Sequence, residues 1–211
     1  MFKNFVIRKI NKLQCKSILQ EYHYLSKINK GFRSGHNFGL FNGEVLVGVC
    51  IFHSPSVPET VKGCFGLKRN EQHNIFELGR LCILPTVIQP NILSWFVSRS
   101  IKFLRKEVRV KALLSYADAS FHTGYIYQAT NFGYYGLTAK KKDFWFEEED
   151  GTFTKHQRGP VKGLKGEWRP RPPKHRYLLI YDPTLICKWE KQPYPKKKNI
   201  APLNKKLMSE T

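Results

Sequence analysis

Apolar runs in this sequence are short. The stretch VLVGVCIF at 45–52 is too brief to cross a bilayer and has the length of a buried strand. The opening residues, MFKNFVIRKINK, contain neither an unbroken apolar segment nor a small-residue cleavage site, so no secretory signal and no membrane are expected. Cysteine is sparse and scattered. Cys15, Cys50, Cys64, Cys82 and Cys187 form no CxxC pair, which argues against a disulfide scaffold or a zinc site and fits reduced thiols in a cytoplasmic protein. No internal repeat occurs. The most telling shortage is acid: only 16 Asp and Glu stand against 36 Lys and Arg, a net charge of +20. Such a surplus spreads a positive field over the surface and selects anionic partners, nucleic acid foremost.

What is present supports one substantial domain. Hydrophobic residues are 41% and aromatics 14% of 211 residues, enough for a packed core. Phe5–Ile7 begins a strand. Asn11 caps a helix running to about Tyr22, with Leu13, Ile18, Leu19 and Tyr22 on its apolar side. Asn42-Gly43 is the turn of a hairpin over 37–53. Residues 54–73 read as a Pro/Gly-rich loop and IFELGRLCIL at 75–84 as a strand. ILSWFVSRSIKFLRK keeps a helical period with cations in its last turn, and ALLSYAD at 112–118 is a buried strand. The order of elements predicts an α+β, mixed α/β layout around one curved sheet flanked by helices. A catalytic domain is expected over 1–150. A basic extension over 151–198 and a disordered tail over 199–211 are expected to follow.

Several residues carry chemistry, each beside a plainer reading. Asp118 ends a strand between Ala117 and Ala119, where a carboxylate can take a proton from an amine or cap the next helix. Tyr125 and Tyr127 share a face if their segment is extended and diverge if it is helical; they stack on a base, donate a proton or pack the core. His23 relays a proton or stabilises the end of the first helix, and Tyr24 packs against a base. Arg80, alone in an apolar strand, grips a phosphate or carbonyl, or pairs with Glu77 or Asp118. Ser115, Ser120 and His122 complete the residue types of a nucleophilic triad without its geometry. Eighteen of the 36 cations lie at 140–211. There Trp168, Arg169, Arg171, Lys174 and Arg176 mix cations with an aromatic, which suits phosphate contact and base stacking or a solvated loop.

The run SYAD at 115–118 followed by HTGYIYQATNF at 122–132 resembles the signature of the Mom family. His23-Tyr24, ELGRLCI at 77–83, and RYLLIYD at 176–182 followed by PYPK at 193–196 agree with it. The resemblance implies a phage enzyme in the host cytoplasm that converts adenine in double-stranded DNA to N6-carbamoylmethyladenine and so blocks host restriction. It also implies a fold of the GNAT acyltransferase type. It carries Asp118, Tyr127, His23, Tyr24, Arg80 and Ser115 over as catalytic residues, and Tyr125, Ser120, His122, Gln128 and Asn131 as substrate-binding ones. His23, His122 and Asp118 also supply the residue types of an iron site.

One departure touches the donor. GNAT enzymes cradle the CoA pyrophosphate on a glycine-rich turn before a helix. Here Leu84–Ser94, LPTVIQPNILS, contains no glycine. The donor is therefore left open between acetyl-CoA and a glycyl donor such as glycyl-tRNA, and only the latter supplies the amide nitrogen of the product. The alternatives are an N-acyltransferase for a protein or small molecule and a non-catalytic nucleic-acid-binding protein.

Overall fold

The computed structural model describes residues 2–23, 31–156 and 159–196. The expected disordered tail and Tyr24 lie outside these residues. Among the described residues ten strands and four α-helices follow one another. They are β1 (Phe5–Lys9), α1 (Lys12–Tyr22), β2 (His36–Asn42), β3 (Val45–His53), α2 (Pro58–Phe65), β4 (Ile75–Ile83), α3 (Ile92–Glu107), β5 (Ala112–Asp118), α4 (Tyr125–Gln128), β6 (Gly133–Leu137), β7 (Lys141–Glu147), β8 (Phe153–Lys155), β9 (Gly166–Arg171) and β10 (Lys174–Ile180).

The central sheet has seven strands in the order β1-β2-β3-β4-β5-β10-β6. Only β4 and β5 run parallel; every other pair is antiparallel, which makes the sheet mixed as expected. α3 buries Phe96, Val97, Ile101 and Leu104 on one face, against Phe38, Phe52, Leu78 and Leu113. α1 packs Cys15, Ile18 and Leu19 on the other face, against Val49, Ile51 and Cys82. α2 shares that second face with Val61, Cys64 and Phe65 over Ala112, Leu114 and Leu178.

Local chemistry explains most of the boundaries. The Asn11 side chain accepts the Gln14 N–H at 2.9 Å while the Gln14 side chain accepts the Asn11 N–H at 3.0 Å, a closed capping box for α1. Gly43 takes φ 58° at the β2–β3 turn. The expected loop over 54–73 instead contains α2. Pro58 sits in its first turn, Val61, Cys64 and Phe65 form its buried stripe, and Gly66 closes it at φ 76°. The stripe is only three residues long, so Pro and Gly dominate the composition although they merely bracket the helix.

The expected boundary near residue 150 does not follow the strands. β7, β8 and β9 form a separate three-stranded sheet in the order β8-β7-β9, so residue 150 falls inside a β7–β8 hairpin. The segment after it, expected as a basic extension packed on the domain, contributes β10, which lies between β5 and β6 in the central sheet. The small sheet is thus an excursion of the chain between two neighbouring strands.

Candidate active site

The sheet opens between β4 and β5. Their parallel ladder pairs Ile75, Phe76 and Glu77 with Ala112, Leu113 and Leu114 and then stops. One residue further, the Ser115 hydroxyl donates to the Leu78 carbonyl at 2.9 Å, a side-chain bridge where the ladder ends. Ser115 is 1% exposed. Its hydroxyl serves the backbone and is not presented as a nucleophile.

A bulge in β4 drives the parting. Phe52 of β3 faces Leu78 and Ile51 faces Arg80, so Gly79 has no partner. Glycine is required there, because a Cβ would lie 2.0 Å from Nε2 of His53. That ring is held by its Nδ1, which donates to the Ser54 carbonyl at 2.7 Å. The bulge also switches the faces of β4. Phe76 and Leu78 point toward α3 before it, Leu81 and Ile83 after it. Glu77 and Arg80, of opposite parity, therefore share the α1/α2 face.

Other charged and titratable groups gather on that face. Alternation along β5 puts Leu113 and Ala117 toward α3, and Tyr116 and Asp118 toward α2 with Ala112 and Leu114. Lys174 of β10 is the cross-strand partner of Asp118. His23 ends α1, its N–H donating to the Leu19 carbonyl at 3.3 Å. Burial, then the charges of Arg80 and His122, push the His23 imidazole down to about 4. It is neutral at pH 7 and binds through hydrogen bonds; at that value it is a poor proton relay. Burial also lowers His122, against the pull of Asp118. The His122 Nδ1 accepts the Gly124 N–H at 3.2 Å, which leaves Nε2 as the protonated nitrogen when the ring is neutral. Asp118 Oδ1 accepts the Ser120 N–H at 3.0 Å, and its carbonyl accepts the N–H groups of Phe121 and His122. Asp118 thus holds the loop that carries His122.

Five further expected site residues lie elsewhere or have structural work. Tyr125–Gln128 is a helical turn, so Tyr125 and Tyr127 diverge: Tyr125 is 66% exposed and Tyr127 7%. The Tyr127 ring packs on Phe132 at 5.7 Å and Tyr177 at 5.2 Å, inside the α3-side core. Gln128 donates to the Tyr177 hydroxyl at 3.3 Å. Asn131 takes φ 65°, the left-handed turn after α4, which asparagine tolerates. The Ser120 side chain is exposed in the Asp118 turn. Sequence reasoning missed His53 altogether and treated Glu77 only as a partner for Arg80. The Glu77 carboxylate accepts the Ser56 N–H at 2.8 Å.

The donor side is unconventional. Pro85 and Pro90 have no N–H, and those of Val87 and Ile92 go to the Leu84 and Gln89 carbonyls. The turn departs from the usual pyrophosphate cradle in having no glycine. A cleft of about 340 Å³ lies further along α3, lined by Phe2, Trp95, Arg99 and Lys102 among others.

Residues 4–196 match the Mom protein family. The chain belongs to that family. No curated protein matches this Mom chain. Among solved structures it is similar to an N-acetyltransferase from Staphylococcus aureus Mu50, with 12% identity and a TM-score of 0.51 over 84% of this chain and 98% of the other. An agmatine N-acetyltransferase gives 9% identity and a TM-score of 0.51 over 84% of this chain and 100% of the other. A polyamine N-acetyltransferase of Drosophila melanogaster gives 8% and 0.50 over the same shares. At these identities the likeness is one of fold, and the fold is the expected GNAT type.

The iron set expected for a Mom protein does not assemble. Among the described residues no three His, Cys, Asp or Glu side chains come together to hold a metal. His122 and Asp118 instead turn toward the backbone of their own loop. No helix among the described residues is long and apolar enough to cross a membrane.

The basic residues expected to meet DNA divide between the two sheets. Trp168 is 55% exposed on β9, edge-on to Phe144 at 5.5 Å. Arg169 lies over Trp145 at 4.8 Å and Phe153 at 4.5 Å, and Arg171 is 3.4 Å from Asp143. Lys174 and Arg176 belong instead to central strand β10. The Arg176 guanidinium stacks on Trp189 at 4.2 Å and its Nε is buried without a hydrogen-bond partner, so it does not serve a peripheral DNA patch.

Proposed function

We propose that this Mom protein is a DNA-modifying transferase whose acceptor is the N6 amine of adenine. The observation that carries the reading is the convergence of Asp118, His122, His23 and Arg80 on one face, where β4 and β5 part. Exocyclic N6 is a weak nucleophile because its lone pair is delocalised into the purine. It needs a base at the moment of attack and a cation for the developing oxyanion. Asp118 supplies the first and Arg80 the second. The neutral imidazole of His23 and the Nε2–H of His122 orient the base or the donor without adding charge.

The donor best matched to the carbamoylmethyl product is a glycyl ester. N6 attacks the ester carbonyl, the C–O bond to the donor breaks, and Asp118 takes the proton that the amine sheds. The glycyl amine then attacks C6 and the original C6–N6 bond breaks. The proton lost by that amine passes to the departing nitrogen, which becomes the terminal amide. Acetyl-CoA lacks the nitrogen, and the turn before α3 lacks the glycines that usually shape the cradle for its pyrophosphate.

Double-stranded DNA is the partner that the charge of +20 favours. The small sheet, with Trp168, Arg169 and Arg171, provides cations and an exposed indole for backbone contact and stacking. The adenine leaves the duplex to reach Asp118, at a cost of a few kcal/mol. Mass spectrometry of nucleosides from plasmid DNA co-expressed with the protein tests the reading: modified adenine is expected, and an unmodified pool in a competent host refutes it. Feeding nitrogen-labelled glycine tests the donor, since label must appear in the modified base.

A further inference from the structure

We propose that Lys174 is the general acid of this reaction, donating the proton that the donor's ester oxygen takes up as the C–O bond breaks. The inference rests on the glycyl-transfer reading and adds the partner that Asp118 needs. Proton removal from N6 solves half of the problem. The other half is the leaving group: a sugar oxygen departs as a strongly basic alkoxide unless it is protonated, whereas a thiolate, with a pKa of about 8.5, departs unaided.

Lys174 is placed for that half. It is the direct cross-strand partner of Asp118, and in-register antiparallel neighbours hold their Cβ atoms about 4.5–5.5 Å apart on one face. Its root is fixed on both sides. The Lys174 N–H donates to the Thr138 hydroxyl at 2.9 Å, the Thr138 N–H donates to the Lys174 carbonyl at 2.8 Å, and Ala119 donates to the Pro173 carbonyl at 3.1 Å. Part of the residue stays open to solvent although its ammonium is desolvated, and it closes no ion pair with Asp118 among the described residues. An acid and a base that stand side by side without quenching each other leave room for a reacting group between them.

The surroundings tune it in the useful direction. Desolvation lowers the Lys174 ammonium below the ordinary lysine range. Asp118 and Glu77 pull it up, Arg171 and Arg80 push it down, and the net shift is downward. A weaker-than-usual ammonium is a better proton donor near neutral pH.

Leaving-group dependence separates this role from a phosphate contact. With wild-type protein, a glycyl oxygen ester and duplex DNA, Lys174→Gln and Lys174→Arg are expected to lower kcat at least about 100-fold and leave the Kd for DNA within about 3-fold. With a glycyl thioester the loss in Lys174→Gln should shrink to about 10-fold or less. Equal losses on both donors, or near-wild-type kcat in Lys174→Arg, overturn the assignment. A readout free of turnover accompanies it: amine-selective labelling across pH, read by mass spectrometry, should titrate Lys174 below the exposed lysines, and lower still in Asp118→Asn. Labelling that follows the exposed lysines also overturns the assignment. Wild-type protein that modifies no adenine with either donor refutes the transferase reading instead, and the labelling result then stands apart from it.

Discussion

Asp118 and Tyr127 stand nine residues apart in one run of sequence, yet they serve opposite faces of the sheet. The Asp118–His122 half opens onto the α1/α2 face, where neutral imidazoles, a guanidinium and a carboxylate meet. The Tyr125–Gly136 half lies behind it, in an aromatic stack of Tyr127, Phe132, Tyr134 and Tyr177. Gly124 joins the halves. It takes φ 77°, and a Cβ there would lie 2.5 Å from the Tyr177 ring. A long motif is therefore not uniform: one half gathers charged and titratable groups and the other packs as aromatic core.

Substitutions on the two sides should separate along this line. Asp118→Asn is expected to lower kcat by roughly 10²–10⁴-fold with little change in melting temperature; a large fall in Tm with retained kcat would reverse the roles. Tyr127→Ala should cost about 3–5 kcal/mol of stability by emptying the aromatic stack, measured by denaturant unfolding. His23 gives a pH-dependent contrast. Its folded value of about 4 lies below the unfolded value of about 6.5, so stability is full above the upper value and is lost as pH falls toward the lower one. The loss amounts to about 3 kcal/mol and should vanish in His23→Gln, as followed by urea titrations between those limits. Gly79→Ala should cost about 1–3 kcal/mol through its collision with His53 and lower kcat with it. Smallest of all, Tyr127→Phe should keep most activity and lose about 0.5–1.5 kcal/mol; an inactive but folded variant would move Tyr127 to the chemical side.

The features legible in the sequence are those that local chemistry decides. The α1 cap needs only Asn11 and Gln14, and the β2–β3 turn only Asn42-Gly43, so both are read without knowing the fold. Asp118 is legible as the polar end of an apolar strand. What could not be read depends on a distant partner. The Gly79 bulge exists because a histidine from the neighbouring strand fills the space of a side chain. The opposition of Lys174 and Asp118 appears only once β10 is known to enter the sheet beside β5. The basic character of 151–198 pointed to an extension packed on the domain and contacting DNA, because charge reports on the surface of a segment, while β10 hides Tyr177 and Leu178 within the central sheet.

The placement of β10 has a consequence for synthesis. Residues 112–118 leave the ribosome well before residues 174–180, and until the later strand arrives β5 has no neighbour on that side and Asp118 no opposing lysine. Pairing across so long a stretch of chain is slow, since the loop must close before any contact repays it. The unfinished chain is already strongly cationic, but the Asp118–Lys174 pairing is assembled last. A truncation before Lys174 would leave a cationic polypeptide in which Asp118 has no cross-strand partner from β10.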